Sequence, residues 1–142
     1  MFYDIGLFKS REFDIPVICV GNITVGGTGK TPMTEFLVQF LKQDYKPAVL
    51  SRGYKRKTRG FRVVDVESEV REVGDEPLQI KRKFPNVPVA VDADRVRGIN
   101  EIRKKFPESS VILLDDAFQH RRVKPGFSII LSDFSRSMKD DY

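Results

Sequence analysis

A chain of 142 residues with 40% apolar side chains and 11 phenylalanines suits one domain with one core, and it is not the composition of a disordered chain. A single cysteine excludes an internal disulfide framework, and a single histidine leaves too few ligands for a zinc centre. The net charge of +5 is unevenly spread: the excess centres on Arg52, Lys55, Arg56, Lys57, Arg59 and Arg62, with no acid between them. No apolar stretch approaches the roughly 18 residues of a membrane span. Met1-Phe2-Tyr3-Asp4 also lacks the basic start of a secretory signal. A soluble or peripheral cytoplasmic protein is expected.

Residues 1–13 carry Phe2, Ile5 and Phe8 at a spacing of three, a short amphipathic segment that would not be stable alone in water. Pro16 to Val20 then reads as a strand, nearly all apolar, as in a parallel sheet buried on both faces. A glycine-rich stretch follows. After it, Met33, Phe36, Leu37, Phe40 and Leu41 fall at i, i+3, i+4, i+7 and i+8, which predicts a helix with these five residues facing the core. Ala48-Val49-Leu50 is a second strand. Phe61 to Val66 alternates and is expected to be a strand, one arm of a hairpin. Val73-Gly74-Asp75-Glu76-Pro77 reads as a turn entering a helix that carries Leu78, Ile80 and Phe84.

Val87 to Val91 is the next strand. It is followed by a helix with Val96, Ile99, Ile102 and Phe106 in one stripe, closed by Pro107. Val111 to Leu114 and Phe127 to Leu131 are the last strands. Alternating strands and helices predict an α/β fold, a three-layer sandwich with a mainly parallel sheet. Asn22, Ser51, Asp92, Asp115 and Asp133 stand where strands end, and in such sheets the ligand crevice lies at the carboxyl ends of the strands.

Gly26-Gly27-Thr28-Gly29-Lys30-Thr31, between a strand and a helix, is the strongest chemical signal. Glycines let successive N–H groups converge on one anion, and a helix start adds unpaired N–H groups and a positive dipole end. Lys30 would reach the β- and γ-phosphates of ATP, and Thr31 would ligate Mg²⁺ through its hydroxyl. This is a P-loop, although Thr24 stands where the strict pattern has its first glycine. The bland alternative, a turn with no ligand, gives Lys30-Thr31 nothing to do.

Val111-Ile112-Leu113-Leu114-Asp115-Asp116 is an apolar strand ending in acid. Its carboxylates would face the metal beside Thr31, with Asp115 the proposed ligand, while one of the two aspartates could merely cap the next turn. His120 follows four residues beyond Asp116. Asp75 and Glu76 have two readings: N-capping of a helix, or a base for the hydroxyl that attacks the γ-phosphate. Arg52 and Arg95 follow strand ends, either to neutralise phosphate charge or as surface ion pairs.

Together these stretches resemble one family. Gly21 to Pro32, Ser51-Arg52-Gly53-Tyr54, Gly74-Asp75-Glu76-Pro77 and Asp115-Asp116-Ala117-Phe118-Gln119-His120 occur in this order in tetraacyldisaccharide 4'-kinases, the lipid A 4'-kinases. The likeness covers roughly residues 14 to 133. It implies transfer of the ATP γ-phosphate to the 4'-hydroxyl of an acylated glucosamine disaccharide, at the cytoplasmic face of a bacterial inner membrane. By resemblance, Thr24, Val25, Gly26, Gly27, Thr28, Gly29, Lys30 and Thr31 are the ATP loop. Asp75 matches the family's proposed catalytic aspartate. Asp115 and Asp116 match its metal-side acids, Gln119 and His120 share that signature, and Arg95 matches a basic active-site position.

Ala117 departs from the family's usual glycine, and the basic run after Tyr54 is richer than in many members. The resemblance further implies that residues 1–13 are the remnant of a membrane-associated helix. Residues 14–142 would then be the nucleotide-binding domain of a longer protein with a second lobe. The expected partners are the lipid disaccharide and an anionic membrane surface; nothing specifies an oligomer. Two other readings are open. One is a P-loop ATPase or GTPase switch acting through protein partners. The other is a basic nucleic-acid module, disfavoured because only Tyr54 and Phe61 flank the basic run and no stacking platform is interleaved with it.

Overall fold

In the computed structural model, which describes residues 13–22, 30–115 and 127–131, strands and helices alternate along the chain. The strands are β1 (Val17–Asn22), β2 (Pro47–Ser51), β3 (Arg62–Val63), β4 (Val89–Val91), β5 (Val111–Asp115) and β6 (Phe127–Leu131). The helices are α1 (Lys30–Leu41), α2 (Val70–Val73), α3 (Asp75–Lys83) and α4 (Arg95–Lys105). Among the described residues the strands form one sheet in the order β3-β4-β2-β5-β1-β6. Five are parallel; the two-residue edge strand β3 is antiparallel to β4.

Both faces of the sheet are covered, which is why its strands are apolar without interruption. Side chains alternate between two cores, as a period of two requires. Val17, Cys19, Ala48, Leu50, Ala90, Ile112 and Leu114 meet Val96, Ile99 and Ile102 of α4. Val49, Val89, Val91 and Leu113 meet Val38 of α1, Val73 of α2, and Leu78 and Ile80 of α3. The expected three-layer sandwich is observed, and the predicted stripe on α4 is the buried one. Gly98 lets α4 approach β2 closely: a Cβ there would lie 2.7 Å from a methyl carbon of the buried Leu50.

Three expectations are corrected. Phe36 and Phe40 do not face the core; they are 61% and 60% exposed and stack on each other with centroids 6.2 Å apart. The buried face of α1 is carried by Thr34 and Val38, flanked by Leu37 and Leu41. At 100° per residue, Phe36 and Phe40 lie 200° and 240° around the helix from Thr34, almost opposite that face. The segment around Arg62 is not one arm of a hairpin, because it pairs with β4 across two intervening helices: Arg62 lies opposite Val91, and the Val64 N–H donates to Val89 O at 2.8 Å. Finally, Asp75 is not an N-cap. Gly74 holds that position for α3 while also ending α2, and Asp75 is the first helical residue.

Candidate active site

The carboxyl edge of the sheet collects the polar strand ends. In register, Val20 of β1 pairs with Asp115 of β5, Asp115 with Ser51 of β2, and Ser51 with Val91 of β4. Asp115 is fully buried at the strand end that lies beside the exit of β1. That exit leads through residues 23–29 to Lys30 and Thr31, the first two residues of α1. Residues 23–29, Asp116, Gln119 and His120 lie outside the described residues, and Lys30 and Thr31 are placed as backbone positions.

Asp75 reaches the same edge by a different route. Gly74 has φ of +94°, a conformation that side chains disfavour, and a Cβ there would lie 3.2 Å from the Cα and carbonyl carbon of Gly53 and from Tyr54 O. Two glycines therefore lock the loop after β2 against the residue that precedes Asp75. The Ser51-Arg52-Gly53-Tyr54 and Gly74-Asp75-Glu76-Pro77 motifs, separate in sequence, form one structure. The side chains of Arg52, Asp75 and Glu76 are exposed on it, and Asp75 and Glu76 in the first turn of α3 suit its positive dipole end.

Arg95 is 2% exposed, so it is neither an exposed phosphate arm nor a surface ion pair. Its guanidinium donates to Asp92 O at 3.0 Å, to Ala93 O at 3.4 Å and to Asp115 O at 3.4 Å. It thus ties the end of β4 to the end of β5 and helps fix where Asp115 stands.

Sequence reasoning missed a charged pair at this edge. Asp92 is fully buried and accepts both Nε and Nη2 of Arg97 at 2.7 Å. Asp92 also accepts the Asp94 N–H at 2.9 Å, while Asp94 caps α4 by accepting the Arg97 N–H at 3.1 Å. Its hydrogen bonds to Asp92, then the charge of Asp92, hold the Arg97 guanidinium above the ordinary arginine range. Burial pushes Arg56 below that range; the nearby charges of Arg62 and Arg97 add to this, and Asp92 opposes it. Arg97, by hydrogen bonds, and Arg56, by charge, thus both meet one buried carboxylate. A spacing of five residues between Asp92 and Arg97, across a strand end and a helix start, matches no motif, so nothing in the sequence marked it.

Two open clefts among the described residues lie elsewhere. One of about 780 Å³ beside Ile15, Pro16, Phe106 and Ser110, and one of about 410 Å³ beside Tyr45, Pro47, Phe84 and Pro88, sit at the amino edge of the sheet. Neither touches a predicted site residue. The carboxyl edge brings together a buried carboxylate on a strand end and, beyond the Gly53–Gly74 contact, an exposed one at the start of α3.

The family model described as tetraacyldisaccharide-1-P 4'-kinase matches residues 1–142. The tetraacyldisaccharide 4'-kinase of Phocaeicola vulgatus is 56% identical over 141 residues, which is 98% of this chain and 38% of that protein. The Flavobacterium johnsoniae protein of the same name is 51% identical over 140 residues, 99% of this chain and 41% of its own length. The crystal structure of LpxK from Aquifex aeolicus in complex with ATP superposes with a TM-score of 0.82 at 38% identity, over 91% of this chain and 42% of that one. The chain spans about two fifths of the length of the curated relatives it matches. With a family model running its whole length, it belongs to the tetraacyldisaccharide-1-P 4'-kinase family.

Proposed function

We propose that these 142 residues form the nucleotide-binding part of a kinase that transfers the γ-phosphate of ATP to the 4'-hydroxyl of a tetraacyldisaccharide 1-phosphate. One observation carries the reading: the exit of β1, the buried Asp115 and the Gly53–Gly74 contact before Asp75 all meet at one sheet edge. Thr24 to Thr31 cradle the phosphates, with Lys30 on the β- and γ-oxygens. Thr31 and Asp115 would hold Mg²⁺, which would neutralise charge on the phosphate oxygens. Oxygen donors suit that ion, and Mg²⁺ commonly takes one or two carboxylates together with substrate phosphates, so no larger acidic cluster is required.

Asp75 accepts the hydroxyl proton as the 4'-oxygen bonds to the γ-phosphorus and the bond to ADP breaks. Arg95 acts on Asp115 as a positioning residue. Asp116 and His120 belong to the same site by family likeness. Peripheral contact with an anionic membrane at the cytoplasmic face of the inner membrane is part of the proposal. Lys57 and Arg59 are exposed and unshielded by acid in sequence, while Arg62 lies 3.9 Å from Glu72; each free charge contributes roughly 1 kcal/mol near an anionic surface. No helix among the described residues is long and apolar enough to cross a membrane.

The test uses the protein expressed from its complete reading frame, with labelled ATP, Mg²⁺ and a tetraacyldisaccharide 1-phosphate. Label is expected in the lipid, and its absence would sink the reading. Lys30→Ala should lower transfer at least ~100-fold, the scale of losing preorganised charge at the phosphate. Vesicle sedimentation at low and high salt checks the membrane contact; binding that ignores salt would count against it.

A further inference from the structure

We propose that Tyr54 and Lys55 are the seat of the acceptor, the Tyr54 ring covering a face of the sugar and the Lys55 ammonium meeting its 1-phosphate. The identity of the acceptor rests on the kinase reading above; the built geometry does not.

The Arg56 N–H donates to Gly53 O at 3.1 Å and closes a four-residue turn with Tyr54 and Lys55 at its corners. Lys55 has φ of +65°, and among the described residues it is the one non-glycine with positive φ. A turn with positive φ at its third position ordinarily takes Gly or Asn there, because a Cβ crowds the backbone. A lysine in this place is the disfavoured choice for folding. Outliers of this kind gather at ligand clamps, where surrounding structure holds them.

The surrounding structure here does hold it. Gly53 is packed on Gly74, the Arg56 guanidinium donates to Thr58 Oγ1 at 3.1 Å and Gly60 O at 2.7 Å, and the Lys57 N–H donates to Arg71 O at 2.6 Å. On this fixed base Tyr54 remains 68% exposed, the most exposed large apolar side chain among the described residues. Lys55 Nζ stands 5.5 Å from its ring centroid. A rigid turn thus presents an aromatic face and a cation together.

That pair suits a charged sugar. A pyranose offers an apolar face of C–H groups to an aromatic ring, and a phosphate monoester offers charge to an ammonium. The acceptor's numbering puts the 4'-hydroxyl on one sugar and the 1-phosphate on the other. The group that receives the hydroxyl proton and the group that binds the phosphate must therefore be separate but near. Asp75 follows Gly74 on one side of the two-glycine contact, and Tyr54 and Lys55 follow Gly53 on the other.

The test takes the protein from its complete reading frame and measures transfer in micelles of a neutral detergent, with the acceptor and with the same acceptor lacking its 1-phosphate. Lys55→Gly should melt no lower than the wild type, because glycine suits positive φ. Its KM for the phosphorylated acceptor should nevertheless rise about tenfold, the scale of one charge-assisted contact, with the KM for ATP within about twofold. That difference should vanish for the acceptor without the phosphate. Lys55→Asn, which also tolerates the turn, should behave alike. Tyr54→Ala should raise KM for both acceptors. If the wild type transfers phosphate and Lys55→Gly leaves the acceptor KM unchanged, this inference is overturned and the kinase reading stands. If the Lys55→Gly effect appears only after anionic lipid is added to the micelles, the turn reads the surface and the inference is likewise overturned. If the wild type transfers nothing, the kinase reading falls and this inference falls with it.

Discussion

At Gly74 the backbone leaves room for a hydrogen atom and nothing larger. Its φ of +94° and the 3.2 Å approach to Gly53 set two penalties on any side chain, one from torsion and one from contact. Gly74→Ala should cost about 1–3 kcal/mol, the range for a strained backbone position, and lower Tm by roughly 3–6 °C per kcal/mol in a chain of this size. Thermal unfolding checks the stability. Transfer by the complete protein should fall further than stability explains, since Asp75 is aimed from this residue. Asp92 makes a second case. Asp92→Asn turns one acceptor of the Arg97 fork into a donor facing a guanidinium, in a fully buried position. Arg97 is half-exposed and can rehydrate, so the expected cost is about 1.5–3 kcal/mol, that of a hydrogen bond to a charged group, and not the larger cost of a stranded buried ion. A chemical denaturation series with unchanged slope would report it. A change below a few tenths of a kcal/mol would mean that the fork does not hold the strand end.

Among the elements, α1 shows how size can mislead. Two i, i+4 pairs lie on this helix, Thr34 with Val38 and Phe36 with Phe40, and they point in nearly opposite directions. The phenylalanines outweigh the smaller pair in any count of apolar periodicity, yet the sheet accepts the smaller pair. Val38→Ala removes two fully buried methyl groups and should cost about 1.6 kcal/mol or more, at ~0.8 kcal/mol for each. Phe40→Ala should stay within about 0.5–1 kcal/mol, since it loses one exposed stacking contact. The reverse order would restore the stripe read from the sequence. Other elements were legible for a physical reason. A central parallel strand is buried on both faces, so β1, β2 and β5 read as unbroken apolar runs, and α4 has one core face at helical spacing. The partner of β3 was not legible, although a strand over Phe61 to Val66 was, because that partner is β4, beyond two helices, and a local pattern cannot choose a distant partner. Nor was the burial of Arg95, since the carbonyls that satisfy it are set by the fold.

Over the whole molecule, the division of chemistry follows from the direction of the strands. Parallel strands send every carboxyl end to one edge, so a loop after β1, an acid after β5 and a turn after β2 converge without being close in sequence. Helices α3 and α4 run back the other way and end in Lys81, Arg82 and Lys83, and in Arg103, Lys104 and Lys105, which suit the negative ends of their dipoles. The edge proposed for the nucleotide is formed, among the described residues, by strand ends and helix starts of this chain. Binding of nucleotide should therefore be measurable on the 142-residue chain apart from transfer. ATP with Mg²⁺ at a hundredfold excess over Kd should add about 2.7 kcal/mol to its stability, a shift of several degrees in Tm. Lys30→Ala should remove most of that shift while leaving the melting of the free chain nearly unchanged. Asp115→Asn should remove the part of the shift that Mg²⁺ adds, because it takes away the carboxylate charge beside the helix start. A chain that melts cooperatively but gains nothing from ATP would show that the edge seen here is not a nucleotide site by itself. A shift that survives Lys30→Ala would place the phosphates somewhere other than the start of α1.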